Sequence, residues 1–108
     1  MAMRRIALDD SLAGLIGFAK RARQLSTGAE GVQRYLKQKK LALVLVDESL
    51  SANSLERFEN LAIKLKTPLF IIERGERSLY ELTGNKVMGV VKGSMAQGIM
   101  QKLNQESS

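Results

Sequence analysis

The stretch LALVLVDE, residues 41–48, decides the class of fold. Its first six residues are all apolar and compatible with a β-strand, and a charged pair stands on either side of them. A strand that is apolar at successive positions is covered on both faces, as in a sheet that lies between two layers of helices. Six apolar residues are also far too few to cross a bilayer, which takes about 20. We therefore expect a buried central strand of a soluble α/β protein.

Helices and strands alternate on both sides of this stretch. The pattern predicts helices at about 11–23, 29–38, 53–66, 78–84 and 94–103, and buried strands at 41–46, 69–72 and 87–91. Residues 24–28 form a break or a very short strand, in which Ser26 or Thr27 caps the second helix; Asn53 caps the third. The alternation predicts a three-layer α/β/α sandwich with a small, mostly parallel mixed sheet. We expect a single domain over residues 1–108, with its core at about 11–103 and short flexible ends.

The composition excludes several kinds of catalytic site. The chain of 108 residues has no Cys and no His, so thiol nucleophiles, imidazole bases, Ser-His-Asp triads and zinc sites of the usual kind are excluded. An enzyme would have to use carboxylates, lysines or a bound metal. The five aromatic residues are scattered, which argues against binding of single strands by base stacking.

The positive charge is concentrated in the first part of the chain. The 17 Lys and Arg and 11 Asp and Glu leave a net charge of +6, and all of it is already present by Lys40. A local excess of this kind favours a polyanion-binding surface. We expect the turn at Thr27 and Gly28 to bring cations around a helix N-terminus that attracts phosphate. The predicted phosphate contacts are Lys20, Arg21, Arg23, Arg34 and Lys37.

Three other interpretations of these features stay open. Asp47 and Glu48, together with Glu73, are candidates for a magnesium-dependent enzyme, because they follow buried strands. The first helix, basic and amphipathic, is a candidate for lying on a membrane surface. The segment 93–98 is a candidate for binding a nucleotide, because it has the glycine spacing of a phosphate loop, but it lacks the Lys-Ser/Thr that must follow.

Four segments taken together resemble the kink-turn-binding ribosomal protein superfamily, of the archaeal L-seven-Ae and eukaryotic L-thirty-e type. The most similar branch is the small bacterial YlxQ-like one. The segments are STGAEGVQR at 26–34, LALVLVDE at 41–48, TPLFII at 67–72 and LTGNK at 82–86. The resemblance implies an α/β/α sandwich. It also implies RNA binding at a sharply bent internal loop, by the start of the second helix and the loop before the last strand.

The resemblance also implies which residues contact RNA. The second-helix segment supplies Gly28, Glu30, Gly31 and Arg34, with Thr27 beside them. The acidic pair is Asp47 and Glu48, and the second contact loop is Thr83, Gly84, Asn85, Lys86 and Val87. Family members that recognise the tandem G·A pairs of a kink-turn have asparagine and then glutamate where this chain has Glu30 and Gly31. A carboxylate accepts hydrogen bonds but has no amide donor, so we expect kink-turn specificity to be weakened or altered.

The sequence thus predicts a non-enzymatic, cytoplasmic RNA-binding protein that recognises folded RNA. The expected RNA is ribosomal RNA with a kink-turn-like internal loop, in a ribonucleoprotein of the ribosome or the translation apparatus. Ribosomal proteins are further candidate partners. We expect a monomer with no cofactor, no metal and no membrane association. The alternative is a protein-interaction or assembly factor on the same scaffold, with only non-specific affinity for RNA.

Overall fold

A computed structural model describes residues 4–106 of the chain. Five strands and five helices follow one another with short connections. The strands are β1 (Arg4–Ala7), β2 (Leu25–Thr27), β3 (Leu41–Asp47), β4 (Leu69–Glu73) and β5 (Val87–Val91). The helices are α1 (Asp10–Arg21), α2 (Ala29–Lys37), α3 (Ala52–Lys64), α4 (Leu79–Thr83) and α5 (Ser94–Glu106).

The five strands form one mixed sheet in the order β1-β4-β3-β5-β2. β1 and β3 run parallel to β4, whereas β5 is antiparallel to β3 and β2 is antiparallel to β5. The two antiparallel pairs arise because α4 has only five residues. A helix of that length spans about 7.5 Å and cannot carry the chain back along a strand of about 16 Å, so β5 returns in the opposite direction.

The side chains of β3 alternate between two hydrophobic cores. Leu43 and Leu45 pack in the core that also holds apolar residues of α1, α4 and α5. Val44 and Val46 pack in the second core, with apolar residues of α2 and α3. All four of these β3 side chains are fully buried. The predicted α/β/α sandwich with a central strand covered on both faces is confirmed.

Several details differ from the sequence predictions. The strand β1 lies outside the predicted core and pairs with β4. Residues 104–106, which were predicted to belong to a flexible end, continue α5. The rest of the predicted ends, residues 1–3 and 107–108, lies outside the described residues. The residue before α2 is Gly28, with no side-chain hydrogen bond at the cap, rather than Ser26 or Thr27 acting as a cap. Those two residues are taken into β2 by its pairing with β5.

The caps of two other helices can be compared with the sequence. The cap of α3 is Ser51, whose side chain accepts from Ser54, so the prediction of Asn53 was wrong by two residues. The predicted capping box of Ser78 and Glu81 at α4 is present, and Gly84 ends that helix in the left-handed conformation at φ 79°. Among the described residues, no helix is long and apolar enough to cross a membrane.

The ends of the strands form two opposite edges of the sheet, and the connections between strands and helices lie at one or the other. We call the edge where β3 and β4 begin, and where β5 ends, the N-edge. The edge where β3 and β4 end, and where β5 begins, is the C-edge. The connections into α1, α2 and α3 lie at the C-edge, whereas the connections that leave these helices lie at the N-edge.

Candidate nucleic-acid interface

The two segments that the sequence predicts to contact RNA lie side by side at the C-edge. The backbone N–H of Gly28 donates to the carbonyl of Val87 at 2.9 Å, and Thr27 pairs with Met88 in the sheet. Gly28 has φ 86°, a conformation that L side chains rarely adopt, and a Cβ there would stand 3.4 Å from Oδ1 of Asn85. The start of α2 and the loop before β5 therefore form one continuous surface. We call this surface, with Lys20 and Lys86 at its sides, the Gly28–Asn85 interface.

The N-terminus of α2 is open for an anion. Gly28 supplies no capping side chain, and the first bond of the helix is the one from Val32 N–H to the Gly28 carbonyl. The amides of the first turn point out of such a helix end, and the helix dipole adds a partial positive charge there. Glu30, in the same turn, is the acidic residue that offsets part of this field. A Cβ at Gly31 would stand 3.0 Å from Oγ of Ser26, so this position is tightly packed, as its glycine suggests.

The second contact loop is held by hydrogen bonds around a buried threonine. Oγ1 of Thr83 lies 2.9 Å from the Leu79 carbonyl, to which it donates, and accepts from the Asn85 N–H at 3.2 Å. The amide of Asn85 lies 3.5 Å from the Thr83 carbonyl, and Nζ of Lys20 lies 3.4 Å from the same carbonyl. The loop is thereby tied both to α4 and to the last turn of α1. A loop fixed in this way presents Asn85 in a defined position beside Gly28.

Asp47 supports this loop from inside the protein. Its side chain is 3% exposed, and its carboxylate accepts from Ser49 N–H at 2.9 Å, Ser49 Oγ at 2.5 Å and Tyr80 N–H at 3.1 Å. Burial raises the pKa of this carboxyl group, but the hydrogen bonds from Ser49 and the start of α4 outweigh burial and lower the pKa from its usual value. With its acceptor positions filled, Asp47 anchors α4 and is not presented to a ligand.

The three carboxylates of the magnesium hypothesis have separate partners. Asp47 is bound to Ser49 and Tyr80, Glu48 accepts from the backbone of Arg74, and Glu73 pairs with Arg5 at 2.9 Å. Within residues 4–106 the structure holds no cluster of three potential metal ligands of the Asp, Glu, His or Cys type. The geometry therefore gives this hypothesis no support.

The predicted phosphate contacts do not all converge on Gly28. Arg23 adjoins Gln24, whose carbonyl accepts from Val91 at the N-edge, about 13 Å along β5 from Val87. Arg34 and Lys37 lie in the last turn of α2, whose C-terminus also points to the N-edge. Only Lys20 contacts the loop directly, and Arg21 packs its guanidinium 5.9 Å from the centre of the Phe18 ring. The expectation that these cations surround one helix N-terminus was therefore wrong for Arg23, Arg34 and Lys37, because β2 and α2 each run from one edge to the other.

Tyr80 is a residue of this region that the sequence analysis did not single out. Its ring is 49% exposed on α4, and Nζ of Lys86 lies 5.7 Å from the ring centre. The sequence carries one usable signal, because the apolar residues Leu79 and Leu82 define the inward face of α4 and leave Tyr80 pointing outward. An exposed aromatic ring beside a cation is suited to contact a nucleotide base or sugar.

Fold and site together define an α/β/α sandwich with an uncapped helix N-terminus beside a rigid loop at the C-edge. No protein family and no curated protein matches the sequence. The fold is similar to that of a protein of unknown function from Bacillus halodurans C, with a TM-score of 0.78 at 20% identity over 89% of this chain and 99% of that chain. It is also similar to the Giardia lamblia 15.5kD RNA binding protein, with a TM-score of 0.68 at 13% identity over 93% of this chain and 90% of that chain.

Proposed function

We propose that this chain is a non-enzymatic RNA-binding protein that holds folded RNA at the Gly28–Asn85 interface. The observation that carries the proposal is the bond from Gly28 N–H to the Val87 carbonyl, which joins the two predicted contact segments into one surface. The similarity in fold to an RNA-binding protein of Giardia lamblia supports the same function. In this assignment the first amides of α2 contact a phosphate, and Asn85 and Lys86 contact the bases or backbone next to it.

The finer assignment is a kink-turn-like internal loop, expected in ribosomal RNA. The interface offers two kinds of contact side by side, because the loop at Asn85 offers side chains and the first turn of α2 offers backbone amides. The partners in this assignment are structured RNA and the ribosomal proteins next to it, and the protein acts as a cytoplasmic monomer in translation. The pair Glu30 and Gly31, in place of asparagine and glutamate, predicts a changed preference among such RNAs.

The proposal is tested with two RNAs of equal length, one with a kink-turn internal loop and one straight duplex. Charge reversal by Lys20→Glu and Lys86→Glu should weaken binding of the kink-turn RNA at least tenfold, measured by fluorescence anisotropy. It should also reduce the slope of log affinity against log salt by about 2, because each lost phosphate contact removes roughly 0.9. Circular dichroism of the variant checks that the fold is intact.

The matched control is the variant Arg57→Glu with Lys64→Glu, which has the same change of charge on α3. We expect it to retain the ratio of affinities for the two RNAs. Equal binding of both RNAs by the unmodified protein, with no effect of the Lys20 and Lys86 changes on that ratio, would contradict the proposal. That result would favour the assembly factor with non-specific RNA affinity.

A further inference from the structure

The connections at the two edges of the sheet differ sharply in charge. At the C-edge, residues 8–9, 28, 48–51, 74–78 and 84–86 carry three acidic and three basic side chains. At the N-edge, residues 22–24, 38–40, 65–68 and 92–93 carry five basic side chains and no acidic one. These five are Arg23, Lys39, Lys40, Lys66 and Lys92, which we call the N-edge row. All five are exposed, and among the described residues none of them forms an ion pair.

The order of the strands places these cations in a line. Lys66 precedes β4, Lys39 and Lys40 precede β3, Lys92 follows β5, and Arg23 precedes β2. Because these strands are neighbours in the order β4-β3-β5-β2, the row extends over three strand spacings, or about 14 Å. One strand of B-form DNA presents a phosphate for about every 3.4 Å of its axis, so on that scale the row spans about four phosphates of a duplex backbone.

A groove at the centre of the row gathers three of the lysines. Lys39, Lys66 and Lys92 line it together with Thr67 and three apolar residues, and no acidic residue lines it. The carbonyl of Lys40 accepts from the Lys92 N–H at 3.0 Å, and this bond holds the residue before β3 next to the residue after β5. The lysines that are far apart in sequence are therefore brought together by the sheet.

Helix geometry explains part of this arrangement but not all of it. Arg23, Lys39 and Lys66 each follow the cap of a helix and have φ between 55° and 59°, where glycine is the usual residue. Cations near a helix C-terminus do interact favourably with its partial negative charge. Lys92 has the opposite setting, since it lies just before α5, at the positive end of that helix. The dipole therefore disfavours a cation at Lys92, and an anionic ligand would compensate for it.

We propose that the N-edge row binds the phosphate backbone of an RNA duplex, as a second nucleic-acid surface on the opposite edge of the sheet from the Gly28–Asn85 interface. The charge complementarity of an unpaired cationic row and a polyphosphate backbone carries this assignment. The surface offers mostly lysine ammonium groups, which act as point charges, so it holds RNA without distinguishing its sequence. The proposal does not depend on the function of the Gly28–Asn85 interface.

The test uses the triple variant Lys39→Gln, Lys66→Gln and Lys92→Gln of the full chain. Its control is Arg5→Gln, Arg57→Gln and Arg77→Gln, which removes the same charge away from the N-edge. The probes are a straight 24-base-pair RNA duplex and an RNA of the same length with a kink-turn, titrated by fluorescence anisotropy between 50 and 200 mM KCl. Several phosphate contacts change affinity measurably between about these two salt concentrations.

The N-edge variant should lose at least tenfold in affinity for the straight duplex, and its salt slope should fall by about 2 to 3. The control should retain both values within about twofold. Equal affinity and slope for the two variants would overturn the proposal, as would binding of anionic vesicles or an acidic peptide at the N-edge in preference to the duplex. The outcome is separate from the test of the Gly28–Asn85 interface, because that test changes Lys20 and Lys86 at the C-edge and measures the preference for the kink-turn RNA, whereas this one changes the N-edge and measures affinity for the straight duplex.

Discussion

Replacing Asp47 by Asn should destabilise the fold and release the second contact loop. The native carboxylate accepts two hydrogen bonds from Ser49 and one from the N–H of Tyr80, and it is 3% exposed. Asparagine has nearly the same shape, but it supplies only one oxygen, and its NH₂ group then faces a backbone donor. The change therefore leaves a buried donor without an acceptor and removes the negative charge from the N-terminus of α4.

The size of the effect follows from these contacts. Hydrogen bonds to a charged group contribute about 1.5–3 kcal/mol, and a negative charge near a helix N-terminus contributes about 0.3–1 kcal/mol. Because asparagine keeps one of the acceptors, we expect a loss of about 3 kcal/mol in the free energy of unfolding. For a domain of this size that corresponds to a fall in Tm of about 10–15 °C. The control Glu48→Gln changes the same charge at the exposed neighbouring residue and should cost less than about 1 kcal/mol.

The pH dependence gives a second readout of the same contact. The pKa of Asp47 is lowered in the folded protein, so the ionised carboxylate stabilises the fold fully above the unfolded pKa, near 3.8. This contribution is lost as the pH falls through the lower, folded pKa. The Asn variant lacks it at every pH, so the difference in stability between the two proteins should shrink below pH 3.8.

Urea unfolding at pH 7 and at several pH values below 4 measures this difference. A Tm within about 3 °C of the unmodified protein, or a difference that does not change with pH, would refute the role assigned to Asp47.

Two further predictions concern the stability of the fold and the preference among RNAs. Lys39→Gly and Lys66→Gly should each raise the free energy of unfolding by about 0.5–1 kcal/mol, since a left-handed residue costs about 1–2 kcal/mol and the lost charge offsets part of the gain. Lys40→Gly, where φ is not positive, should lower the free energy of unfolding instead. The same change in all three variants on urea unfolding would contradict this reasoning. Glu30→Asn with Gly31→Glu should raise the preference for a kink-turn over a straight duplex, measured by anisotropy in a Ser26→Ala background that removes the Oγ contact at 3.0 Å. An unchanged preference would mean that this pair does not determine specificity.

The fold could be predicted where the pattern of apolar residues matches the side chains that are buried in the two cores. The run 41–46 predicted a strand covered on both faces, and β3 alternates Leu43 and Leu45 with Val44 and Val46 in that manner. The strand β1 could not be predicted, because only Ile6 of its four residues is buried and its pairing with β4 is a tertiary contact. The direction of β5 depends on the shortness of α4, which the capping signals at Ser78 and Gly84 did indicate.

The two segments of the candidate site were predicted from the resemblance, not from their spacing along the chain. Gly28 and Asn85 were predicted to act together, and the pairing of β2 with β5 does place them side by side. The distribution of charge was misjudged, because a count along the chain does not distinguish the two ends of a strand. Arg23 and Gly28 are five residues apart, yet they lie at opposite edges of the sheet. Asp47 follows a buried strand as a ligand residue would, and nothing in the sequence shows that α4 turns back onto it.

The two surfaces should bind RNA by different physical means, because each helix of the sandwich points its positive end to one edge and its negative end to the other. At the C-edge the open amides of α2 already attract phosphate, so few cations are needed, and Glu30 is tolerated there. Contacts of that kind are directional and depend little on salt. At the N-edge the C-termini of α1, α2 and α3 repel anions. The lysines themselves must therefore supply the attraction, and their positive charge must exceed the partial negative charge of these helix ends. Such binding is strongly salt-dependent and indifferent to sequence. Raising the salt concentration should therefore remove the N-edge contribution first and leave the preference that arises at the Gly28–Asn85 interface.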